Sequence, residues 1–285
     1  MPHPALAPGR VAVVTGAADG IGRAAARRFA GLGMKVAIAD IDAAALETAR
    51  AELVAAAPGG EQDVLAMQTD VALYQDVERL ERAVLERFGD VALLMNNAAT
   101  GKGAGTFEDR AQWERLLAVN LMGVVNGLQC FVPGMISRGR TGAVVATGSK
   151  QGITTPPGNA AYNVSKAGVK VLTEQLAHEL REATGERITA HLLIPGFTFT
   201  GMTRPGRTAD TPKPEGAWTA DQVVDVLLDG LERNAFYLFC QDHETSWEMD
   251  QKRMRWAADD LILRRPALSR WHPAYRDAFA AFMKD

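Results

Sequence analysis

Cysteine is scarce in this chain: Cys130 and Cys240 are the only two among 285 residues, and they form no CxxC motif. Two such residues are too few for a disulfide framework, so we expect free thiols and a reducing, cytoplasmic compartment. The sequence also lacks a strong charge bias, since its net charge is −3 and no long basic run occurs. Without an electrostatic footprint for phosphates, nucleic-acid binding is not expected.

Long apolar runs are missing as well. No segment is continuously apolar over the roughly 18 residues that a membrane span requires, so we expect a soluble protein without a membrane partner. The first ten residues, MPHPALAPGR, contain three prolines and no long apolar core. This composition does not fit a signal peptide, and we predict a loose tail there.

The sequence does contain a regular alternation of short apolar runs and helix-length stretches. The apolar runs lack polar alternation, which is typical of strands buried on both faces. They occur at 11–15, 35–40, 64–68, 91–96, 142–147, 188–194 and 236–240. The helix-length stretches occur at 21–32, 43–57, 74–88, 112–138, 160–183 and 220–233. This order predicts an α/β fold: a doubly wound, Rossmann-like parallel sheet of about seven strands with helices on both faces.

Length and composition favour a single domain over residues 1–285, with its core at 10–240. The irregular sequence at 197–218, rich in Pro, Gly and Thr, predicts a substrate lid, because long loops in such folds tend to carry function. Residues 243–285 are too few for a second domain. We predict that they form a helical extension packed on the body or on a neighbouring subunit.

Three glycines follow the first predicted strand, in the stretch TGAADGIG. Gly16, Gly20 and Gly22 lie between that strand and a predicted helix. A backbone without Cβ can turn sharply and approach a pyrophosphate, and the helix N-terminus supplies free N–H groups and the positive end of its dipole. The spacing is GxxxGxG rather than the GxGxxG fingerprint. The glycines alone are therefore equally compatible with a plain strand-to-helix turn.

Asp40 ends the second predicted strand, about twenty residues after the glycine loop, where a carboxylate can accept hydrogen bonds from the adenosine ribose. Its charge would repel a 2′-phosphate, and neither Asp19 in the loop nor the adjacent Ile41 supplies a compensating cation. We therefore predict NAD rather than NADP as the cofactor. The competing role for Asp40, a helix N-cap, suits Asp42 better, because an alanine-rich run follows it.

Tyr162 and Lys166 lie four positions apart in AYNVSKAG, a spacing that places both on one face of a helix. A nearby ammonium favours the phenolate and lowers a tyrosine pKa from its usual value of about 10 toward the range useful for acid/base catalysis. Ser149, thirteen residues before Tyr162, follows a predicted strand, at the edge where doubly wound folds bind ligands. A solvated helix face and a serine in a turn are the alternatives for these residues taken singly.

Six motifs in the right order between residues 10 and 240 resemble those of the short-chain dehydrogenase/reductase family. They are TGAADGIG, TDV at 69–71, NNAA at 96–99, VNLMG at 119–123, the serine with the YxxxK pair, and PGFTFT at 195–200. The resemblance implies hydride transfer between NAD(H) and a secondary alcohol or ketone. It implies that Tyr162 exchanges the proton, Ser149 stabilises the oxygen, Lys166 binds ribose and lowers the tyrosine pKa, and Asn120 holds a relay water.

The resemblance also implies binding residues. Predicted cofactor contacts are Gly16, Asp19, Gly20, Ile21, Gly22, Asp40, Ile41, Asp70, Val71, Asn97, Ala98, Tyr162, Lys166, Pro195, Gly196, Thr198 and Thr200. Predicted substrate contacts are Ser149, Gln151, Phe197, Met202 and Trp218. The apolar and aromatic residues of the lid suggest a sizeable apolar or aromatic substrate. No metal site is expected.

The sequence departs from the family pattern at a few positions. Ala99 replaces the usual glycine of NNAG, and Thr198 replaces a usual aliphatic residue; we expect both to be tolerated. Lys150, directly after Ser149, and the lysine of GKG at 101–103 could line the substrate side or point into water.

Two alternative functions remain at this point. One is an NADPH-dependent 3-oxoacyl-type ketoreductase, which Asp40 disfavours. The other is a non-catalytic nucleotide-binding member of the family, which has no evident need for Asn120, Ser149, Tyr162 and Lys166 together. By analogy with the family, we expect a homodimer or homotetramer formed through long helices.

Overall fold

The computed structural model describes residues 3–101, 103–208 and 210–284. Seven strands form its central sheet: β1 (Val11–Thr15), β2 (Lys35–Asp40), β3 (Val64–Gln68), β4 (Leu93–Asn96), β5 (Gly142–Thr147), β6 (Ile188–Ile194) and β7 (Tyr237–Phe239). Their order is β3-β2-β1-β4-β5-β6-β7, and every pairing is parallel. The predicted fold class is confirmed, and the strand order reverses between β1 and β4, the point at which such sheets bind ligands.

The strands are apolar throughout because both faces of the sheet are covered. Successive side chains alternate between two core clusters, so that Val14 and Ile38 belong to the cluster on one face and Val13 and Ala37 to the cluster on the other. All five residues of β1 are buried. The absence of polar alternation in the sequence therefore reflects a sheet with helices on each side.

Ten helices among the described residues surround the sheet. They are α1 (Gly20–Gly31), α2 (Ala43–Ala56), α3 (Tyr74–Phe88), α4 (Arg110–Leu117), α5 (Gly123–Ser137), α6 (Gln151–Thr154), α7 (Ala160–Thr184), α8 (Ala220–Glu232), α9 (Trp247–Ile262) and α10 (Arg276–Lys284). Asp42 caps α2: its Oδ1 accepts hydrogen bonds from the N–H groups of Ala44 and Ala45 at 3.1 and 3.0 Å. The assignment of the cap to Asp42 rather than Asp40 is thus confirmed.

The helix predicted at 112–138 is interrupted. A turn of π-helix spans Ala118–Met122 between α4 and α5, and π turns occur frequently at functional sites. Asn120 lies in this turn and is fully buried. Hydrophobic periodicity did not reveal the interruption, because a single wide turn displaces the apolar stripe only slightly.

The helical stretch Arg110–Ser137 is interrupted by polar residues, in line with the expectation that no segment is continuously apolar over about 18 residues. By length and composition it could cross a membrane, with a mean hydropathy of 1.6 in its most apolar part. About 44% of that part is buried inside the protein. Buried core helices have the same composition, so this helix is consistent with a soluble protein.

The N-terminal residues pack against the body instead of forming the loose tail that we predicted. Ala5 and Leu6 are buried in the core cluster next to α1. The ring of His3 lies edge-on to the ring of His191 in β6, with centroids 6.0 Å apart. The prolines of this segment fit a short 3₁₀ turn at Pro4–Leu6.

The C-terminal extension contains α9 and α10, in agreement with the predicted helices. Trp256 is its anchor: the indole is 5% exposed and packs against the rings of Phe279 and Phe282, each at 5.2 Å. Its Nε1 donates to Ser269 Oγ at 2.8 Å. The extension therefore has a small core of its own.

The two buried histidines make stability depend on pH. Burial lowers the pKa of His3 from 6.5 to about 4 and also lowers that of His191. The folded protein favours neutral rings, whereas the unfolded chain binds protons below about pH 6.5. The stability that depends on neutral rings is therefore complete above about pH 6.5 and is lost as the pH falls toward 4.

We expect His3→Asn to reduce the fall in Tm between pH 7 and pH 5, because it removes one of the two suppressed ionisations. Asparagine retains a side-chain acceptor for the Ala5 N–H, which His3 Nδ1 now accepts at 3.2 Å. Thermal unfolding across this pH range measures the effect. His178→Asn, an exposed histidine on α7, is the matched control and should follow the wild-type slope; a wild-type slope in His3→Asn would contradict the expectation.

Candidate functional site

A cavity of about 620 Å³ opens at the carboxyl ends of the central strands. Most residues predicted from the sequence to bind cofactor or substrate line it. These are Gly16, Asp19, Gly20, Ile21, Asp40, Asn97, Ser149, Tyr162, Lys166, Pro195, Gly196, Thr198, Thr200 and Met202. Its volume is in the range of ligand-binding clefts in general.

Other predicted residues lie outside the cavity lining. They are Gly22, Ile41, Asp70, Val71, Ala98, Asn120, Gln151, Phe197 and Trp218. Several of these residues pack against, or hydrogen-bond to, the segments that line the cavity.

The glycines of the loop are required by close packing as much as by a ligand. Gly16 has a φ of +64°, and a Cβ there would lie 2.6 Å from the Cα of Ala98. A Cβ on Gly22 would collide with the carbonyl oxygen of Gly16. Gly22 and Ala98 thus pack directly behind the loop, and only Gly16 and Gly20 present backbone to the cavity.

A hydrogen-bonded network ties this loop to the neighbouring strands. The buried hydroxyl of Thr15 accepts the N–H groups of Asn97 and Ala98 at 3.0 and 3.1 Å. Asn97 Nδ2 donates to the carbonyl oxygens of Thr15 and Gly16, each at 3.1 Å. Thr147 Oγ1, at the end of β5, donates to Asn97 Oδ1 at 3.1 Å. Asn97 therefore fixes the relative positions of three strand ends.

Asp40 combines a structural contact with a place in the cavity wall. Its Oδ2 accepts the N–H of Ala18 in the glycine loop at 3.0 Å, and its Oδ1 accepts the N–H of Asp42 at 3.1 Å. The carboxylate remains partly exposed to the cavity. Asp40 thus orients the loop and places a negative charge at the end of β2.

The segment 69–71 lies beside Asp40, since the Thr69 N–H donates to the Asp40 carbonyl oxygen at 2.8 Å. Asp70 Oδ1 accepts the N–H of Ala72 at 3.0 Å. Val71 is 7% exposed and packs against α5, whereas Ile41 is 54% exposed. The Val71 side chain therefore serves packing, and the predicted cofactor contact of Val71 stays a prediction.

Asp19 binds the lid. Its Oδ2 accepts the N–H of Gly201 at 2.7 Å, and its Oδ1 forms an ion pair with Arg207. Its side chain makes no capping hydrogen bond to α1, of which it is the N-cap residue. Sequence reasoning did not identify Arg207, because nothing in the irregular stretch 201–218 predicts which of its charges would fold back onto the loop.

Tyr162, Ser149 and Lys166 converge as the motif spacing predicted. The side chains of Tyr162 and Ser149 line the same cavity, and Ser149 is close enough to act on the pKa of Tyr162. Lys166 Nζ lies 5.8 Å from the centre of the tyrosine ring and donates to the Thr147 carbonyl oxygen at 2.8 Å. The carbonyl therefore holds the ammonium in place under the cavity.

The electrostatics of this group differ from the predicted ones. Burial raises the pKa of Tyr162, and the hydrogen bond with Ser149 only partly opposes this effect. Burial lowers the pKa of Lys166 from 10.5 to about 8. Desolvation thus outweighs the attraction between ammonium and phenolate in the protein alone.

Asn120 is bonded to neighbouring segments rather than to the lysine. Its Oδ1 accepts the Thr100 N–H at 2.7 Å, and its Nδ2 donates to the Thr100 carbonyl oxygen at 3.0 Å and to Ser165 Oγ at 3.2 Å. Among the described residues, the side chain therefore joins the π turn, the chain after β4 and α7. The proposed water relay remains a prediction.

Most residues of the lid that were predicted to contact substrate do not line the cavity. Its base is closed by a β-bridge between Thr198 and Trp218, and Trp218 packs on the core and against the ring of His243 at 6.4 Å. Phe197 is 40% exposed and lies outside the cavity wall, as does Gln151. Of the apolar residues predicted to contact substrate, Met202 alone lines the cavity.

Lys150 neither lines the cavity nor points into water. It is buried between the carboxylates of Asp242 and Asp250, at 3.2 and 2.6 Å. The predicted second cation, Lys102, lies outside the described residues. Lys150 therefore does not supply a cation to the substrate side.

The chain is related to many known proteins. The family model for short chain dehydrogenases matches residues 10–211. The chain belongs to the short-chain dehydrogenase/reductase family. It is 36% identical to the 1-deoxy-11-beta-hydroxypentalenate dehydrogenase of Streptomyces exfoliatus over 81% of this chain and 82% of that one.

Solved structures of the same family agree with this assignment. A short-chain dehydrogenase/reductase from Burkholderia phymatum, in complex with NAD, is 34% identical with a TM-score of 0.79, covering 90% of this chain and 96% of that one. An alcohol dehydrogenase from the archaeon Thermococcus sibiricus, complexed with 5-hydroxy-NADP, is 26% identical with a TM-score of 0.72, covering 83% and 98%. This short-chain dehydrogenase is thus similar to proteins solved with either type of cofactor.

The residues that line the cavity of this family member are suited to binding a dinucleotide. The N–H groups in the first turn of α1 are not capped by Asp19, and a helix N-terminus of this kind binds anions. Gly16 and Gly20 leave the backbone accessible there. Asp40 stands at the next strand end, where a ribose would lie.

The contacts of Asp19 predict how the lid of this short-chain dehydrogenase is held. A half-exposed ion pair contributes roughly 0–1 kcal/mol, and a hydrogen bond to a charged group roughly 1.5–3 kcal/mol. We expect Asp19→Ala to speed hydrogen exchange in the segment 200–207 about tenfold or more.

Arg207→Ala, which removes only the ion pair, should speed exchange in the same segment by a fewfold at most. Hydrogen exchange followed by mass spectrometry measures both variants, with exchange in β1 as the internal reference. Unchanged exchange of the lid in Asp19→Ala would show that Asp19 does not hold it.

Proposed function

We propose that this protein is an NAD-dependent dehydrogenase/reductase that interconverts a secondary alcohol and a ketone. The observation that supports it best is that Tyr162 and Ser149 line one cavity beside the buried ammonium of Lys166. All three line the same cavity as the glycine loop and Asp40. A non-catalytic nucleotide-binding protein would not need this group.

In this proposal Tyr162 exchanges the proton of the substrate oxygen. A bound nicotinamide supplies the hydride acceptor or donor. During oxidation the phenolate removes the hydroxyl proton, and during reduction the phenol returns it to the carbonyl oxygen. Ser149 donates a hydrogen bond to the same oxygen and holds it within reach of Tyr162.

The ammonium of Lys166 stabilises the phenolate of Tyr162, which burial disfavours. Because burial raises the pKa of Tyr162, proton transfer needs a nearby positive charge. The pKa of Lys166, lowered to about 8, still leaves the amine mostly protonated at neutral pH. The Thr147 carbonyl holds this charge at a fixed position, which avoids reorganisation when the phenolate forms.

The choice of NAD rests on Asp40. Its carboxylate lines the cavity and is already fixed by the N–H groups of Ala18 and Asp42. The neighbouring Ile41 is exposed and apolar, so it offers no counter-charge to a 2′-phosphate. These features favour NAD and disfavour the NADPH-dependent ketoreductase alternative.

The substrate class is proposed more broadly than the lid sequence suggested. The curated relative from Streptomyces acts on a hydroxylated compound by its name, and the archaeal neighbour is an alcohol dehydrogenase. Met202, Thr203 and Pro205 line the cavity. We propose a sizeable, mostly apolar secondary alcohol or ketone; a spectrophotometric panel of aromatic and aliphatic alcohols with NAD tests this choice.

We also propose a homodimer or homotetramer. Val164 and Val171 on α7 are 49% and 54% exposed, and an apolar helix face of this kind is suited to pairing with a second copy. Light scattering on the purified protein distinguishes these states from a monomer.

Tyr162→Phe tests the proposed chemistry. Loss of the acid/base group should lower kcat by about 10²- to 10⁴-fold, while the dissociation constant for NAD stays within about threefold. NADH absorbance and a fluorescence titration measure the two quantities. Tyr275→Phe, in the C-terminal extension with its ring edge-on to His272, is the matched control. Unchanged turnover in Tyr162→Phe would contradict the assignment.

Asp40→Asn tests the cofactor preference. Asparagine can still accept one of the two N–H groups, from Ala18 or from Asp42, so the change removes the charge and one hydrogen bond. We expect the ratio of kcat/KM with NADP to that with NAD to rise at least tenfold. Asp42→Asn, which preserves the α2 cap, is the control and should leave the ratio unchanged; a wild-type preference for NADP would refute the proposal.

A further inference from the structure

Lys150 forms a buried ion cluster directly beside the proposed active site. Its Nζ lies 3.2 Å from Asp242 Oδ2 and 2.6 Å from Asp250 Oδ2. The side chain of Lys150 is 13% exposed, and those of Asp242 and Asp250 are 8% and 3% exposed. We call these three residues the Lys150 cluster.

The cluster joins three distant parts of the chain. Lys150 follows Ser149 in the sequence, Asp242 follows β7, and Asp250 lies in the first turn of α9, in the C-terminal extension. Arg253, one turn further along α9, approaches Asp250 at 3.9 Å and donates to Thr245 Oγ1 at 3.2 Å. With Arg253 included, two positive and two negative charges alternate, so the buried group is close to neutral.

The cluster also contacts the backbone of the cavity wall. The Lys150 N–H donates to the Pro195 carbonyl oxygen at 3.3 Å. A Cβ on Gly196 would lie 2.5 Å from Asp242 Oδ2 and 3.0 Å from Lys150 Cε. The Phe197 N–H faces Asp242 Oδ2 at 3.5 Å. Gly196 therefore lies directly on the cluster, and Pro195 and Gly196 line the cavity.

Stability alone is a weak reason for such a group. Taking charges out of water costs several kcal/mol per ion, and well-packed apolar residues often serve equally well. Burial raises the pKa of Asp250, whereas the nearby Lys150 acts in the opposite direction. What the ions provide, and apolar side chains do not, is a defined geometry for the groups attached to them.

We propose that the Lys150 cluster positions two parts of the site. Through it, the C-terminal extension holds Ser149 and the Gly196 backbone in the arrangement that catalysis requires. The inference rests on the proposed function for the role of Ser149. Lys150, Asp242 and Asp250 do not line the cavity; they act through the two backbone segments that do.

Asp250→Asn in the full-length protein tests the proposal. It keeps the size of the side chain and removes one charge of the cluster. We expect faster hydrogen exchange in the segments 148–154 and 195–199 of the cofactor-free protein. We also expect at least a tenfold loss of kcat, with binding of ADP-ribose within twofold of wild type, because that ligand leaves the nicotinamide end of the cavity empty.

Glu248→Gln is the matched control: it makes the same chemical change two residues earlier, at an exposed position of α9. It should leave both exchange and kcat at wild-type values. Lys150→Arg retains the charge and should keep most of the turnover, whereas Lys150→Met should lose it and show the same faster exchange.

A merely structural role predicts a different result. Asp250→Asn would then lower Tm and speed exchange in α9, while exchange at 148–154 and 195–199 and the kcat of the folded fraction stayed at wild-type values; this result would overturn the inference. If Asp250→Asn does not fold, Asp242→Asn is tested by the same criteria. Wild-type protein without turnover on any alcohol or ketone would refute the proposed function, and the exchange data on the cofactor-free protein would still decide whether the cluster holds the two segments.

Discussion

The side-chain amide of Asn97 holds together the strand ends on which the site is built. It binds the carbonyl oxygens of Thr15 and Gly16 on one side and the hydroxyl of Thr147 on the other, and the Thr147 carbonyl in turn holds the ammonium of Lys166. A continuous hydrogen-bonded path therefore runs from the glycine loop to Lys166 on α7. Parallel strands alone bring these segments to one edge of the sheet, but their polar side chains set the distances between them. Since buried polar networks are rigid only when every member is satisfied, the loop and the lysine are positioned together.

Two buried cations serve the site in different ways. Burial lowers the pKa of the Lys166 amine to about 8, and its hydrogen-bond partner is a carbonyl oxygen rather than a carboxylate. Lys150 is paired with two carboxylates. Its charge therefore serves to hold the backbone beside Ser149 and Gly196. The sequence shows two lysines close to two catalytic candidates and does not distinguish them. The distinction arises from residues 242 and 250, which lie far along the chain.

Periodicity and motif order were sufficient to predict the seven strands, most helix boundaries and the convergence of Ser149, Tyr162 and Lys166, because these depend on local pattern and on the strand ends of a parallel sheet. They were insufficient for the π turn at Asn120, for the inward packing of Trp218 and for the contacts of Asp19 and Arg207. Each of these depends on which distant segment a side chain meets after folding. The lid illustrates the difference: its composition predicted an irregular loop correctly, but the apolar residues that suggested substrate contact include Trp218, which serves the core.

The position of the Lys150 cluster along the chain has a consequence for biosynthesis. Lys150 precedes Asp242 by 92 residues, and Asp250 follows later still. A ribosome therefore releases the glycine loop, the catalytic helix and Lys150 well before the carboxylates that balance that lysine. Until then its ammonium remains hydrated, and the segments beside Ser149 and Gly196 lack their final contacts. The half of the sheet that carries the glycine loop can thus assemble first, while the segments beside Ser149 and Gly196 gain their final contacts only after Asp250 has been synthesised.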